Sequence, residues 1–263
     1  MTYLRRFVLL LQFMTAIPIR ISIKADREDF GKGLATAPVV GLAIGILLAG
    51  GNYLLGLLFP PLVTAVLTIL FYILLTGGLH LDGLGDTADG LFSNRPRERM
   101  LEIMKDSRVG TNAVLILIIV VLLDISLLSS IHTQLFFILL FMPVAGRIAS
   151  LVGAGSSGYA GVSDGPGRWC VEYCGLKDIL AGLFIYFVLF AASARITGLY
   201  TGMSDLLTGS GILLTALIPP LSALILTRLL GRKLGGVTGD ILGAVCELNQ
   251  VVFLLSAFLL LGL

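Results

Sequence analysis

The sequence predicts an all-α fold, a polytopic helical bundle in a membrane, and three observations carry that reading. Of its 263 residues 57% are hydrophobic and 13% charged, and the mean hydropathy is +1.00, too apolar for a soluble domain of ordinary make-up. Apolar runs approaching or exceeding the ~20 residues a span requires fall at about residues 34–58, 61–79, 113–131, 134–153, 179–199, 210–230 and 241–262. The connections between these runs alternate between poor and rich in Lys and Arg. About seven transmembrane helices in a single integral-membrane domain, residues 1–263, follow.

Taken in order, the chain opens with Arg5 and Arg6 before an apolar run from Phe7 to Ile17. It has no small-residue cleavage site and is too short to span, so it reads as an interfacial or re-entrant helix. Pro60-Pro61, Ile131-His132-Thr133 and the stretch around Asp205 make charge-poor connections. The N-terminal segment, the central loop with Arg95, Arg97, Arg99, Lys105 and Arg108, and the later loops with Arg168, Lys177, Arg232 and Lys233 are basic. By the positive-inside rule these lie in the cytoplasm, in a cell (inner, plasma) membrane, with the C-terminus outside. The net charge of +2 gives no argument for nucleic acid. Cys170, Cys174 and Cys246 lack zinc-site spacing and read as reduced thiols. The glycines from Gly41 to Gly51, and Thr76-Gly77-Gly78, suggest close helix packing.

The central basic loop follows the stretch the bundle is built to hold, HLDGLGDTADGLF from His80 to Phe92. Asp82, Asp86 and Asp89 stand at i, i+4 and i+7, within roughly 60° of one another on a helix at ~100° per residue. Three carboxylates on one face resist joint ionisation unless a cation neutralises them, and hard oxygen donors suit Mg²⁺, Mn²⁺ or Ca²⁺. The alternative is a charged surface loop in which the acids pair with Arg95, Arg97 and Arg99. Gly83, Gly85 and Gly90 are poor helix formers and are expected to let a bulky ligand approach the backbone. Downstream, Lys105 and Arg108 offer cations for phosphate oxygens and Ser107 a hydroxyl. His80 adjoins the acidic face as a supporting group or proton carrier.

Near the end, GGVTGDILGAVCEL from Gly235 to Leu248 carries Asp240 and Glu247, again i and i+7, expected at the depth of the first cluster to complete one composite site. Within spans, Arg147 either pairs with Asp124 or reaches the phosphates, and Asp124 is otherwise structural. The segment from Gly153 to Gly175 holds Trp169, Tyr159 and Tyr173; it is a flexible connector, a platform for a flat ligand, or a headgroup-level anchor. No GxxxxGK[ST], HExxH or serine nucleophile elbow is present, so nucleoside-triphosphate motors, zinc peptidases and hydrolase triads are unsupported.

At HLDGLGDTADGLF, at RERMLEIMKDSRVGT from Arg97 to Thr111, at GGVTGDILGAVCEL, and at LLLQFMTAIPI from Leu9 to Ile19, the sequence resembles the cobalamin synthase (adenosylcobinamide-GDP ribazoletransferase) family, with matches spread over nearly the whole chain. The resemblance implies a membrane transferase in which the ribose 5′ oxygen of α-ribazole, or of its 5′-phosphate, attacks the cobinamide-linked phosphoryl group of adenosylcobinamide-GDP. GMP leaves, and adenosylcobalamin or its phosphate forms. On that footing Asp82 and Asp86 bind Mg²⁺, Asp89 is a further ligand or the base, Lys105, Arg108 and Arg147 hold the diphosphate, and Asp240 and Glu247 complete the metal or substrate face. The oligomeric state stays open, a homo-oligomer included.

Two other classes compete. A CDP-alcohol phosphatidyltransferase also sets spaced aspartates in membrane helices, but here Leu84-Gly85-Asp86 stands where that family has Ala-Arg after its first Asp-Gly. A cation transporter would line a route through the membrane with acids, and only Asp124 lies well within a span.

Overall fold

The computed structural model describes residues 2–201 and 210–262. The connection around Asp205 lies outside them. Among the described residues there is no strand, only an isolated parallel bridge between Tyr159 and Val237. The helices are α1 (Tyr3–Met14), α2 (Arg27–Gly33), α3 (Ala37–Gly56), α4 (Pro61–Thr76), α5 (Leu79–Phe92), α6 (Arg97–Ile103), α7 (Thr111–Ser130), α8 (Leu135–Gly155), α9 (Pro166–Tyr173), α10 (Leu176–Thr201), α11 (Ser210–Gly231) and α12 (Gly239–Leu261). The seven apolar runs match α3, α4, α7, α8, α10, α11 and α12, and the chain is a multi-pass membrane helical bundle.

At its centre is α8, buried without interruption from Phe137 to Ala154. Helix α3 lies against it through Gly41 and Gly45, where an added Cβ would collide with the backbone of Val144 and Leu140. That is the close packing expected of small residues four apart. Phe141 stacks its ring edges against Tyr186 and Phe190 of α10. The outer faces of α7, α10 and α11 present Ile118, Leu122, Phe184, Val188, Leu221 and Ile225, an apolar jacket that only lipid can cover without cost.

Among the described residues six helical segments are long and apolar enough to cross a membrane alone; α4 passes only together with α5, from which it is bent by 91°. The 16 residues of α4 reach ~24 Å at 1.5 Å per residue, and Pro at its start and glycine beyond its end frame it as a short span. Gly77 and Gly78, expected to serve helix packing, are instead the corner: their φ values are +62° and +68°, and a Cβ at Gly78 would meet nothing within 4 Å. Positive φ costs glycine little and other residues much. The corner turns α5 across one end of the bundle, outside the spans.

That end collects the basic segments, as their distribution predicts. Arg6 bonds Asp29 at 3.1 Å, Arg27 bonds Asp164 at 2.6 Å, Arg97 donates to the carbonyls of Leu234 at 2.8 Å and Ala160 at 2.9 Å, and Lys233 to that of Leu91 at 2.9 Å. These contacts bind all four basic segments together at one end. Helix α1, 12 residues long and so ~18 Å, is too short to span and is anchored at its end by Ala16 N–H on the Leu75 carbonyl, 2.8 Å.

Candidate active site

Two helix termini build the site. Helix α5 carries Asp82, Asp86 and Asp89; the start of α12 carries Asp240, just after Thr238, whose Oγ1 caps the helix by accepting from Ile241 N–H at 3.2 Å. The two helices cross at glycines. A Cβ on Gly83 would lie 2.9 Å from the Asp240 carbonyl oxygen, and one on Gly243 would lie 3.1 Å from that of His80. This corrects the expectation that the α5 glycines admit a ligand: Gly83 is filled by α12, Gly85 by Ala113 and Leu117, and Gly90 by Met104. Small residues here buy helix contact, and that contact sets Asp82 and Asp240 side by side.

The carboxylates form no salt bridges: among the described residues none of Asp82, Asp86, Asp89 and Asp240 has one; Arg97 is spent on carbonyls and Arg99 on Glu102. The surface-loop alternative therefore fails. Asp86, half-buried, has its carboxyl pushed up to about 7, first by burial and then by the neighbouring charges of Asp82, Asp240 and Asp89. Asp89 differs from the other three: its oxygens accept Gly110 N–H at 2.6 Å and Ala113 N–H at 2.9 Å, so it caps α7 and ties α5 to it.

Two cavities flank the acids. One, of about 270 Å³, includes Lys105, Tyr159, Ser163, Arg168 and Asp240 in its wall. The other, of about 220 Å³, includes His80, Asp82, Ser150, Asp240 and the apolar Phe13 and Leu79. Of the residues singled out from sequence, Asp82, Asp240, Lys105 and His80 thus border the cavities; Asp86 lines neither but feels the charges of Asp82 and Asp240. Ser107 and Arg108 are exposed and do not. Arg108 is paired with Asp106 at 2.6 Å, an interaction that holds the Asp106 carboxyl at about 2.

Arg147 and Glu247 lie elsewhere. Arg147 is fully buried, its guanidinium 5.7 Å from the centre of the Tyr72 ring and 3.1 Å from the Tyr72 hydroxyl. That hydroxyl donates to Glu247 at 2.7 Å, and Gln250 bonds both, at 2.8 and 2.9 Å. This network joins α4, α8 and α12 inside the bundle, so the expectation of Arg147 as a phosphate ligand and Glu247 as part of the acidic face is corrected: both point into the core. The donor atoms of His80, Cys246 and Glu247 lie within 4.8 Å of one another, but positive charge there is already supplied by Arg147. Asp124 is buried on α7. Cys170 and Cys174 are free thiols raised to about 12 by burial and inert.

Sequence reasoning missed Arg168, Ser163, Ser150 and Tyr72. The first two sit in the segment whose role was left open, and the run Gly165-Pro166-Gly167-Arg168 was the available signal. Tyr72 had none, since a tyrosine in an apolar run reads as core. Trp169 packs away from the cavities, with its ring 5.3 Å from that of Phe30 and its Nε1 on Asp164 at 2.7 Å.

The sequence model described as Cobalamin-5-phosphate synthase matches residues 6–259. The chain belongs to that family. A relative from Acetivibrio thermocellus, named adenosylcobinamide-GDP ribazoletransferase, is 51% identical over 260 residues, 98% of this chain and 99% of its own. One of the same name from Clostridium acetobutylicum is 46% identical over 259 residues, covering 98% and 97%. No solved structure matches.

Proposed function

We infer that this chain is an adenosylcobinamide-GDP ribazoletransferase that works with Mg²⁺ at the cytoplasmic face of the membrane. The observation that carries the reading is the crossing of α5 and α12, which gathers Asp82, Asp86 and Asp240 with no salt bridge to any of them among the described residues. The basic end of the bundle supports the cytoplasmic orientation. Full-length likeness to the named relatives supports the reaction.

The donor set fits a hard divalent cation: three carboxylates, two of them on cavity walls, with Asp86 raised to about 7 by burial and then by its acidic neighbours. Asp82, Asp86 and Asp240 would hold it. Mg²⁺ there would neutralise charge on the phosphoryl oxygens. Lys105 shares the wall with Asp240 and would hold phosphate oxygens as a point charge.

A ribose hydroxyl oxygen of ribazole forms a bond to the cobinamide-linked phosphorus. The bond from that phosphorus to the departing phosphate oxygen breaks, and GMP leaves with the electron pair. The family description bears on the attacking atom: a product that keeps a 5-phosphate comes from a ribazole with no free 5′ hydroxyl, so the expected 5′ oxygen gives way to a secondary ribose hydroxyl. Such transfers pass through a loose transition state that asks mainly for positioning and charge stabilisation. Asp82, on a cavity wall, would take the hydroxyl proton on the carboxylate oxygen that it does not give to the cation.

The test is GMP release by the detergent-solubilised protein from adenosylcobinamide-GDP with α-ribazole or its 5′-phosphate, with Mg²⁺ and then chelator. Release that requires Mg²⁺ and is lost in Asp82→Asn and Asp240→Asn is expected. Undiminished release in chelator would overturn the metal assignment.

A further inference from the structure

The segment from Gly153 to Gly175, which the reaction as described does not use, stands between the two cavities. Pro166, Gly167, Gly239 and Asp240 belong to the walls of both. Gly167 touches Gly239 so closely that a Cβ on it would lie 2.8 Å from the Gly239 Cα. The partition is therefore backbone, with the carboxylate of Asp240 at its edge. The two sides differ in chemistry. The first has Lys105 and Arg168, the hydroxyls of Tyr159 and Ser163, and the Tyr159 ring. Lys105 makes no ion pair among the described residues, and Arg168 spends only Nε on Glu172, at 2.7 Å, leaving its terminal nitrogens free for phosphate oxygens. The second has no Lys or Arg in its wall; Phe13, Met14, Leu34, Leu79 and Leu242 make it apolar, with His80, Asp82 and Ser150 at its polar side.

We propose that the partition separates the two substrates, the cationic cavity taking the guanylate half of the nucleotide-activated substrate and the apolar cavity taking the benzimidazole ring of ribazole. In-line displacement requires the attacking and leaving oxygens on opposite sides of phosphorus. Two cavities that meet at Asp240 supply that arrangement, with the reacting phosphoryl group over the partition. An uncharged, flat, largely apolar base gains from the second cavity and nothing from the first, whereas a phosphate dianion is stabilised by Lys105 and Arg168. Both volumes lie below the ~300–1,000 Å³ of sites for drug-sized ligands, so each takes a nucleoside-sized fragment and the corrin ring stays outside both. The proposal rests on the transferase reading, and its test separates the two.

Titrating the full-length protein with GMP in detergent by calorimetry reads the first cavity, which Arg168 lines, without turnover. Arg168→Gln is expected to weaken GMP about tenfold, the scale of a lost charge-assisted hydrogen bond, and to raise KM for adenosylcobinamide-GDP while leaving KM for ribazole within twofold. Leu79→Tyr, at a partly exposed position of the second wall, should do the converse: ribazole KM up about tenfold, GMP affinity unchanged. Both substrates shifting together in either variant, or the reverse split, overturns the partition. Should the wild type bind GMP but fail to turn over, the transferase reading falls while the titration still decides the first cavity; a wild type that turns over with GMP affinity indifferent to Arg168→Gln retains the reaction and sinks the proposal.

Discussion

Adding one methyl group at Gly83 tests whether the helix crossing makes the site. The new Cβ would stand 2.9 Å from the Asp240 carbonyl oxygen and 3.0 Å from its Cα, a shortfall of about 0.5 Å against the 3.4 Å at which ordinary contact begins. Both obstacles are backbone, so neither can swing aside, and α5 must part from α12. Metal sites hold their ligand distances to about ±0.2 Å, so a displacement of this size separates Asp82 and Asp86 from Asp240 by more than a bound cation tolerates. Overpacking costs about 1–3 kcal/mol, which leaves a bundle of this size folded. The expectation for Gly83→Ala is a folded protein with Mn²⁺ affinity, read by calorimetry, and GMP release both down at least tenfold. Gly50→Ala, where an added Cβ meets nothing within 4 Å, is the control and should match the wild type. Wild-type Mn²⁺ affinity in Gly83→Ala would refute the claim that glycine contact positions the acids.

Arg147→Met should lower thermal stability by about 3 kcal/mol, because it strips the cation from a buried network and leaves Glu247 and Tyr72 uncompensated; GMP affinity of the folded fraction should hold, whereas a phosphate ligand would lose it. Asp89→Ala removes the two amide acceptors at the start of α7 and is expected to cost about 1–2 kcal/mol in thermal unfolding with Mn²⁺ affinity within threefold; a collapse of metal binding at unchanged stability would make Asp89 a ligand instead. Asp86 should impose a pH dependence. Its folded carboxyl titrates at about 7 and its unfolded one at 3.8, so the metal-free protein loses stability as pH rises between those values, when the unfolded chain ionises and the folded one does not. A cation needs the ionised form, so Mn²⁺ affinity should fall about tenfold per unit below pH 7, and a flat profile from pH 5 to 8 would contradict the raised Asp86 carboxyl that burial and its acidic neighbours produce.

Spans were legible because hydropathy over twenty residues is a one-dimensional property: the run at residues 135–155 is apolar in sequence and buried in space. The basic end was legible for a related reason, since topology requires only counting charges between spans. The corner at Gly77-Gly78 was not. A glycine pair reads alike whether it admits a neighbouring helix, as Gly41 and Gly45 do, or adopts a positive φ in open space, and only the partner's presence decides. The same ambiguity misled the reading of Gly83, Gly85 and Gly90, whose spacing among acids suggested room for a ligand when the room was taken by α12, α7 and Met104.

Helical spacing also fixed direction more reliably than depth. Asp240 and Glu247 are seven residues apart and share a face, yet seven residues advance ~10 Å along the axis, enough to take Glu247 from the mouth of the bundle into its core, where Tyr72 and Gln250 receive it. Arg147 follows the same logic from α8: it sits too deep for the acidic face, and its guanidinium meets the Tyr72 hydroxyl instead. The cations that line a cavity come instead from short segments across the mouth, Lys105 just beyond α6 and Arg168 in the first turn of α9. In a bundle whose interior is closed by packing, the charges around the two cavities are divided accordingly. Acids stand on the long helices that cross at glycines and can be held rigid, while cations stand on the short segments around them. The rigid half could be read from spacing; the other half depended on how the segment from Gly153 to Gly175 folds back over the site.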